Sequence, residues 1–68
     1  MQLTLKAIRI NIGWSQEEAA KNIGISQETL ANYEKGKTFP DVPTIIKIEK
    51  AYNTEYKNIK FLCQENTV

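Results

Sequence analysis

Gly13, Gly24 and Gly36, followed by Pro40, Pro43 and Asn53, punctuate the chain at short intervals. Glycine readily takes the left-handed conformation that ends a helix, and proline lacks the N–H that a continuing helix needs, so only short helices fit between these breaks. Within the segments, apolar residues recur at helical period and show no sustained strand alternation. Leu5, Ile8 and Ile12 fall at i, i+3 and i+7, and Ile45, Ile48 and Tyr52 repeat that spacing. The reading is all-α, with residues 1–68 as a single domain in which every apolar face is needed for one small core.

The helix starts are written in side chains. Ser15 precedes Glu18 at the spacing of a capping box, in which the hydroxyl and the carboxylate each take up a backbone N–H of the first turn. Ser26 repeats the device at the next helix start, with Thr29 where the glutamate would be, and Ile25 before it can staple onto Leu30. The first helix is expected from about Gln2 to Asn11. The second, opened by Ser15, carries a narrow face of Ala19, Ala20 and Ile23 and ends at Gly24, and the third continues its buried face through Leu30 and Tyr33. Two short helices joined by a tight glycine turn are the sequence description of a helix-turn-helix, here over residues 15–35. Beyond Gly36, KTFPDVP is a loop. Asp41 caps a fourth helix that has Pro43 in its first turn and ends near Asn53. A fifth helix is expected from about Glu55 to Cys63, turning Tyr56, Ile59 and Leu62 or Cys63 inward.

Composition excludes several functions. Without histidine, and with Cys63 as the only cysteine, the chain offers no disulfide, no zinc constellation and no Cys–His dyad, so Cys63 reads as a small apolar residue. There is no glycine-rich phosphate loop and no convergent carboxylate pair, so an enzyme is not expected, nor a cofactor or small-molecule ligand. No run is long enough to span a bilayer and the N-terminus has no signal-peptide pattern, so the expectation is a cytoplasmic protein without a membrane partner. A net charge of +1 is neutral on nucleic acid, so any such argument rests on where residues lie.

Gln27, Glu28, Ala31, Asn32 and Lys35 form one continuous face of the third helix that burial does not need. Plain solvent faces favour Lys and Glu in i, i+4 pairs, whereas this one opens with Gln and carries Asn mid-helix, where its propensity is poor. Amides both donate and accept, matching N7 and the N6 amino group of adenine in the major groove, and Glu28 can accept from the cytosine amino group. On composition and spacing alone, base readout and a solvated face both remain open.

From Arg9 to Lys37 the pattern R-x-x-x-G-x-S-Q-E-E-x-A-x-x-x-G-I-S-Q-x-T-L-x-x-Y-E-K-G-K resembles the helix-turn-helix of the lambdoid phage repressor and Cro (XRE-type) family. The resemblance implies a compact five-helix, lambda-repressor-like domain that binds a double-stranded DNA operator and regulates transcription as a repressor. It implies base reading by Gln27, Glu28, Thr29 and Asn32, and phosphate contacts by Gln16, Ser26, Lys35, Lys37 and Thr38. Gln16 would also hydrogen-bond Gln27, and Arg9 and Glu34 would form an ion pair tying the first helix to the third. The sequence departs from the family pattern at Ala19, where leucine is usual and Trp14 could fill the space, at Glu49, usually small and apolar, and at Glu55, usually Ser or Thr. The loop TFPDV lacks the extra basic residues of some relatives.

Few phosphate contacts per chain make a homodimer the expected partner arrangement, since a dimer doubles them and fixes two half-sites. Phe61 with the last helix is the sequence's candidate for that contact. The alternative is a helix-turn-helix scaffold serving as a protein-interaction module, an antitoxin or antirepressor component, through a face containing Ile10, Trp14 and Phe61.

Overall fold

The computed structural model describes residues 2–61. Among these, β1 (Leu3–Thr4) leads into α1 (Leu5–Ile12), followed by α2 (Gln16–Ile23), α3 (Gln27–Lys35) and α4 (Val42–Tyr52), and a 3-10 turn at Tyr56–Asn58 leads to β2 (Ile59–Lys60). All four α-helices start in the same way. Thr4, Ser15, Ser26 and Asp41 are extended, and each side-chain oxygen accepts from the backbone N–H three residues on. At Ser15 the capping box is complete, because Glu18 Oε1 accepts from the Ser15 N–H at 2.9 Å. Hydrogen bonds from Thr44, side chain first and backbone second, hold the Asp41 carboxyl below its ordinary range.

Each α-helix ends on a left-handed residue: Gly13, Gly24, Gly36 or Asn53. At Gly24 the φ of 96° lets its own N–H and that of Ile25 both reach the Ala20 carbonyl, at 2.8 and 3.0 Å, and this closes the turn between α2 and α3. The core sits where α2 meets α3 and α4. Leu30 and Ile48 are fully buried at its centre, with Leu5, Ile8, Ala19, Ala20, Ile23, Tyr52 and Ile59 around them. The small side chains of Ala19 and Ala20 allow close approach, and Trp14 packs against the same cluster, its ring 6.1 Å from that of Tyr52.

The segments before α1 and after α4 differ from the sequence expectation. The first helix begins at Leu5 and not at Gln2, because Thr4 Oγ1 accepts from the Ala7 N–H at 3.1 Å and caps it there. Leu3 and Thr4 are instead freed to pair, in parallel, with Ile59 and Lys60. Ile12, expected on the buried stripe, is 40% exposed in the last position of the shortened helix. The fifth helix does not form over the described part of Glu55–Cys63. Glu55 makes no side-chain cap, the Tyr56 N–H goes to Glu49 Oε2 at 2.8 Å, and β-branched Ile59 turns extended to pair with Leu3. Ile59 is buried as expected, whereas Tyr56 faces outward; Leu62 and Cys63 lie outside the described residues. Among the described residues the architecture is therefore four α-helices, with the segment before α1 tied to the segment after α4 by a short parallel strand pair. No helix among the described residues is long and apolar enough to cross a membrane.

Candidate nucleic-acid interface

Burial of Leu30, with Tyr33 half-buried beside it, fixes which side of α3 faces the core. The opposite side presents Gln27, Glu28 and Lys35 exposed, and Thr29, Ala31 and Asn32 half-exposed. Among the described residues, the side chains of Gln27, Glu28 and Asn32 have no protein hydrogen-bond partner, so their donors and acceptors are available outward. Lys35, Lys37 and Thr38 are exposed where α3 ends and the loop begins. The helix start is more committed. Ser26 Oγ accepts from the Thr29 N–H at 3.1 Å and donates its one proton to Thr29 Oγ1 at 2.7 Å, leaving the Thr29 hydroxyl proton as the donor of the pair.

Behind this face a charged network joins three helix ends. Arg9 Nε donates to Glu34 Oε2 at 2.7 Å and Arg9 Nη2 to Glu34 Oε1 at 3.2 Å, a two-pronged ion pair between α1 and α3. The side chains are only 10% and 4% exposed. Arg9 Nη1 donates to the Trp14 carbonyl at 3.0 Å, and Gln16 Nε2 donates to Glu34 Oε1 at 3.0 Å. Hydrogen bonding to Glu34 raises the Arg9 guanidinium above its ordinary range against the opposing effect of burial. The expected contact between Gln16 and Gln27 is not made, because the buried carboxylate of Glu34 is the stronger acceptor within reach of Gln16. Sequence carries no signal for that choice; it depends on how α2 crosses α3.

Tyr52 lies at the edge of the network. Its hydroxyl is buried without a hydrogen-bond partner among the described residues, and desolvation, reinforced by the negative charge of Glu34, pushes its pKa up to about 12.

The helix-turn-helix family profile matches residues 5–57, which span α1 through the turn after α4. The chain belongs to the helix-turn-helix family. An uncharacterized HTH-type transcriptional regulator of Bacillus subtilis, YgzD, is 32% identical over 66 residues, covering 97% of this chain and 100% of that protein. The HTH-type transcriptional regulator ImmR of the same organism is 39% identical over 54 residues, 76% of this chain and 42% of its own length. The antitoxin HipB of Escherichia coli K12 is 41% identical over 44 residues, 65% of this chain and 50% of HipB. No solved structure gives a significant match. Within this helix-turn-helix, α2 is the first helix of the motif and α3 the second.

A second surface escaped the sequence reading. Phe39, Val42, Ile46 and Tyr56 are 56%, 68%, 46% and 45% exposed and line one open groove of about 680 Å³ with Pro40, Ile45 and the carboxylates Asp41 and Glu49. Phe61 is half-buried under its rim, with ring centroids 4.9 Å from Phe39 and 5.5 Å from Tyr56. The signal was present: Phe39, Val42 and Ile46 are spaced i, i+3 and i+7, off the stripe that α4 buries. Trp14 packs on the core and Phe61 within the aromatic cluster, so of the three residues expected to form a partner face only Ile10 is freely exposed.

Proposed function

We propose that the chain is a sequence-specific, double-stranded-DNA-binding transcriptional regulator that reads the major groove with α3. The observation that carries this is the outward stripe of α3, where Gln27, Glu28 and Asn32 present amide and carboxylate groups that no protein group among the described residues satisfies. Gln27 and Asn32 can each bind adenine in two-pronged fashion, Glu28 can accept from cytosine, and Thr29 retains a hydroxyl donor for a base edge. Ala31 between them keeps the helix surface low. Lys35, Lys37 and Thr38 approach phosphates from the far end of α3; Ser26, whose proton is already given to Thr29, contributes its position at the helix start more than a donor. The regulator names of YgzD and ImmR support this reading, and the HipB likeness covers less of the chain.

Selection of bound duplexes from a random library, followed by measurements on Gln27→Ala and Asn32→Ala, tests it. Each variant should lose about 1 to 3 kcal/mol of discrimination at one base position with the fold intact. Equal affinity of all three proteins for every duplex would refute it.

In this reading the regulator pairs with a second copy through the Phe39, Val42, Ile46 and Tyr56 groove, with Phe61 packed against Phe39 and Tyr56 at its rim. Phe39, Val42, Ile46 and Tyr56 leave a contiguous apolar surface exposed, the kind of patch that marks an interaction site. Four exposed side chains are far fewer than the roughly 20 to 30 residues a side of a standard interface, so association is weak in solution and completed on paired half-sites. Val42→Asp should abolish cooperative binding to a two-half-site duplex while leaving affinity for one half-site unchanged; unchanged cooperativity would remove this surface from the interface.

A further inference from the structure

Glu28 is the one acidic residue on the outward stripe of α3, exposed in the first turn beside Gln27. The helix does not use it as a cap. Ser26 takes the Thr29 N–H, and among the described residues the Glu28 carboxylate accepts no hydrogen bond and makes no ion pair. Its neighbours one turn on are Ala31 and Asn32, neither of them basic, and Lys35 stands two turns away, about 10 Å along the axis. The dipole of α3 favours a negative charge at this end but neutralises only part of it. Glu28 therefore carries an uncompensated charge in the middle of the surface that the helix turns outward.

We propose that Glu28 sets base specificity chiefly by exclusion, its carboxylate rejecting duplexes that present only acceptors at the position it meets. The proposal rests on the reading of α3 as the base-reading helix and adds to it a penalty for wrong sequences beside the bond to cytosine. An ionised carboxylate can only accept. In the major groove guanine offers N7 and O6 and thymine offers O4, all acceptors, and the donors are the amino groups of cytosine and adenine. The amides of Gln27 and Asn32 can turn over to suit either pattern, whereas Glu28 cannot.

The balance of the two effects follows from desolvation. Against cytosine, Glu28 exchanges its water for a hydrogen bond and gains only the difference. Against guanine or thymine it gives up its water and faces a lone pair, which forfeits the whole hydration of the group. Phosphates on both strands add repulsion, and no basic side chain within a turn can take up the charge. Little else masks this penalty, since the chain has a net charge of +1 and its sequence-independent attraction to DNA is correspondingly small. Discrimination of this kind is built by disfavouring the wrong partner as well as favouring the right one.

Glu28→Gln keeps the shape of the side chain and gives the position a donor. Glu55→Gln, in the segment after α4, removes the same charge away from α3. Wild type and both variants are measured on a duplex selected by the wild type from a random library, on its single-base variants and on an unrelated duplex, with circular dichroism confirming that each protein is folded. For Glu28→Gln, affinity should rise about tenfold on the variants that bring guanine or thymine to one position, and fall by no more than about threefold on the selected duplex. On the unrelated duplex it should rise about fivefold, the worth of one like-charge contact in water. Glu55→Gln should stay within about twofold of wild type throughout, its charge being screened from the interface. A loss confined to the selected duplex, with every other affinity unchanged, makes Glu28 an attractive contact alone and overturns the proposal. An equal rise in Glu55→Gln overturns it too, because the effect is then one of net charge. No change on any duplex in Glu28→Gln overturns the proposal while leaving the reading of α3 intact if Gln27→Ala or Asn32→Ala alters the base preference, and absence of any base preference in the wild type overturns both.

Discussion

Replacing Glu34 with methionine tests whether the buried ion pair holds the helices together. The substitution keeps the volume but removes both acceptors of the Arg9 guanidinium and the acceptor of Gln16, leaving a permanently charged group, 10% exposed, with only the Trp14 carbonyl. Breaking a buried pair from one side costs about 3 to 5 kcal/mol, because the remaining charge stays desolvated. A chain of this length has a total stability of about 3 to 10 kcal/mol, so Glu34→Met should stand at the edge of folding. In a thermal melt that is a fall in Tm of at least about 12 °C. Urea unfolding followed by circular dichroism and by Trp14 fluorescence measures it, the indole lying next to the network. Arg9→Met combined with Glu34→Met leaves no charge buried and should recover most of the loss. Because the pair is shielded from solvent, raising the salt to 1 M should change the wild-type stability little. A loss below about 1 kcal/mol in Glu34→Met, or a double variant no more stable than the single one, would refute the reasoning.

Three further outcomes are expected. The raised pKa of Tyr52 means that the folded chain keeps a proton which the unfolded chain loses, so its contribution is fully present below pH 10 and is lost as the pH rises from 10 towards about 12. Tyr52→Phe should remove that alkaline decline and, since the hydroxyl has no partner among the described residues, should be neutral or slightly stabilising at pH 7; a clear loss there would show that the hydroxyl is satisfied. At Gly24 a Cβ would meet nothing within 4 Å, so Gly24→Ala should cost only the left-handed backbone, about 1 to 2 kcal/mol by urea unfolding, and Gly24→Asn less. Lys37→Gln should weaken binding to all duplexes alike and make the slope of log K against log salt shallower by about 0.9, whereas an unchanged slope would take Lys37 off the phosphates.

The helix-turn-helix was legible in the sequence because its determinants are local. Ser15, Glu18, Ser26 and Asp41 take up N–H groups within their own first turns, and Gly13, Gly24 and Gly36 end helices by their own backbone freedom, so residue type and spacing suffice to place them. The outward stripe from Gln27 to Lys35 follows from helical period once Leu30 is known to face inward, which is why the residues proposed here to meet bases could be named from the sequence. The strand pairing of Leu3–Thr4 with Ile59–Lys60 could not. Leu3 and Ile59 are far apart in sequence, and each segment pairs with the other in place of continuing a helix, so the described part of Glu55–Cys63 is a 3-10 turn and a strand. The choice of Gln16 between Gln27 and Glu34 is of the same kind. The sequence alone determined where helices start, stop and turn their polar faces, because those preferences lie within a few residues of backbone. Only the tertiary structure decided which distant groups share the buried carboxylate and which apolar residues are left outside, because both depend on how the helices cross.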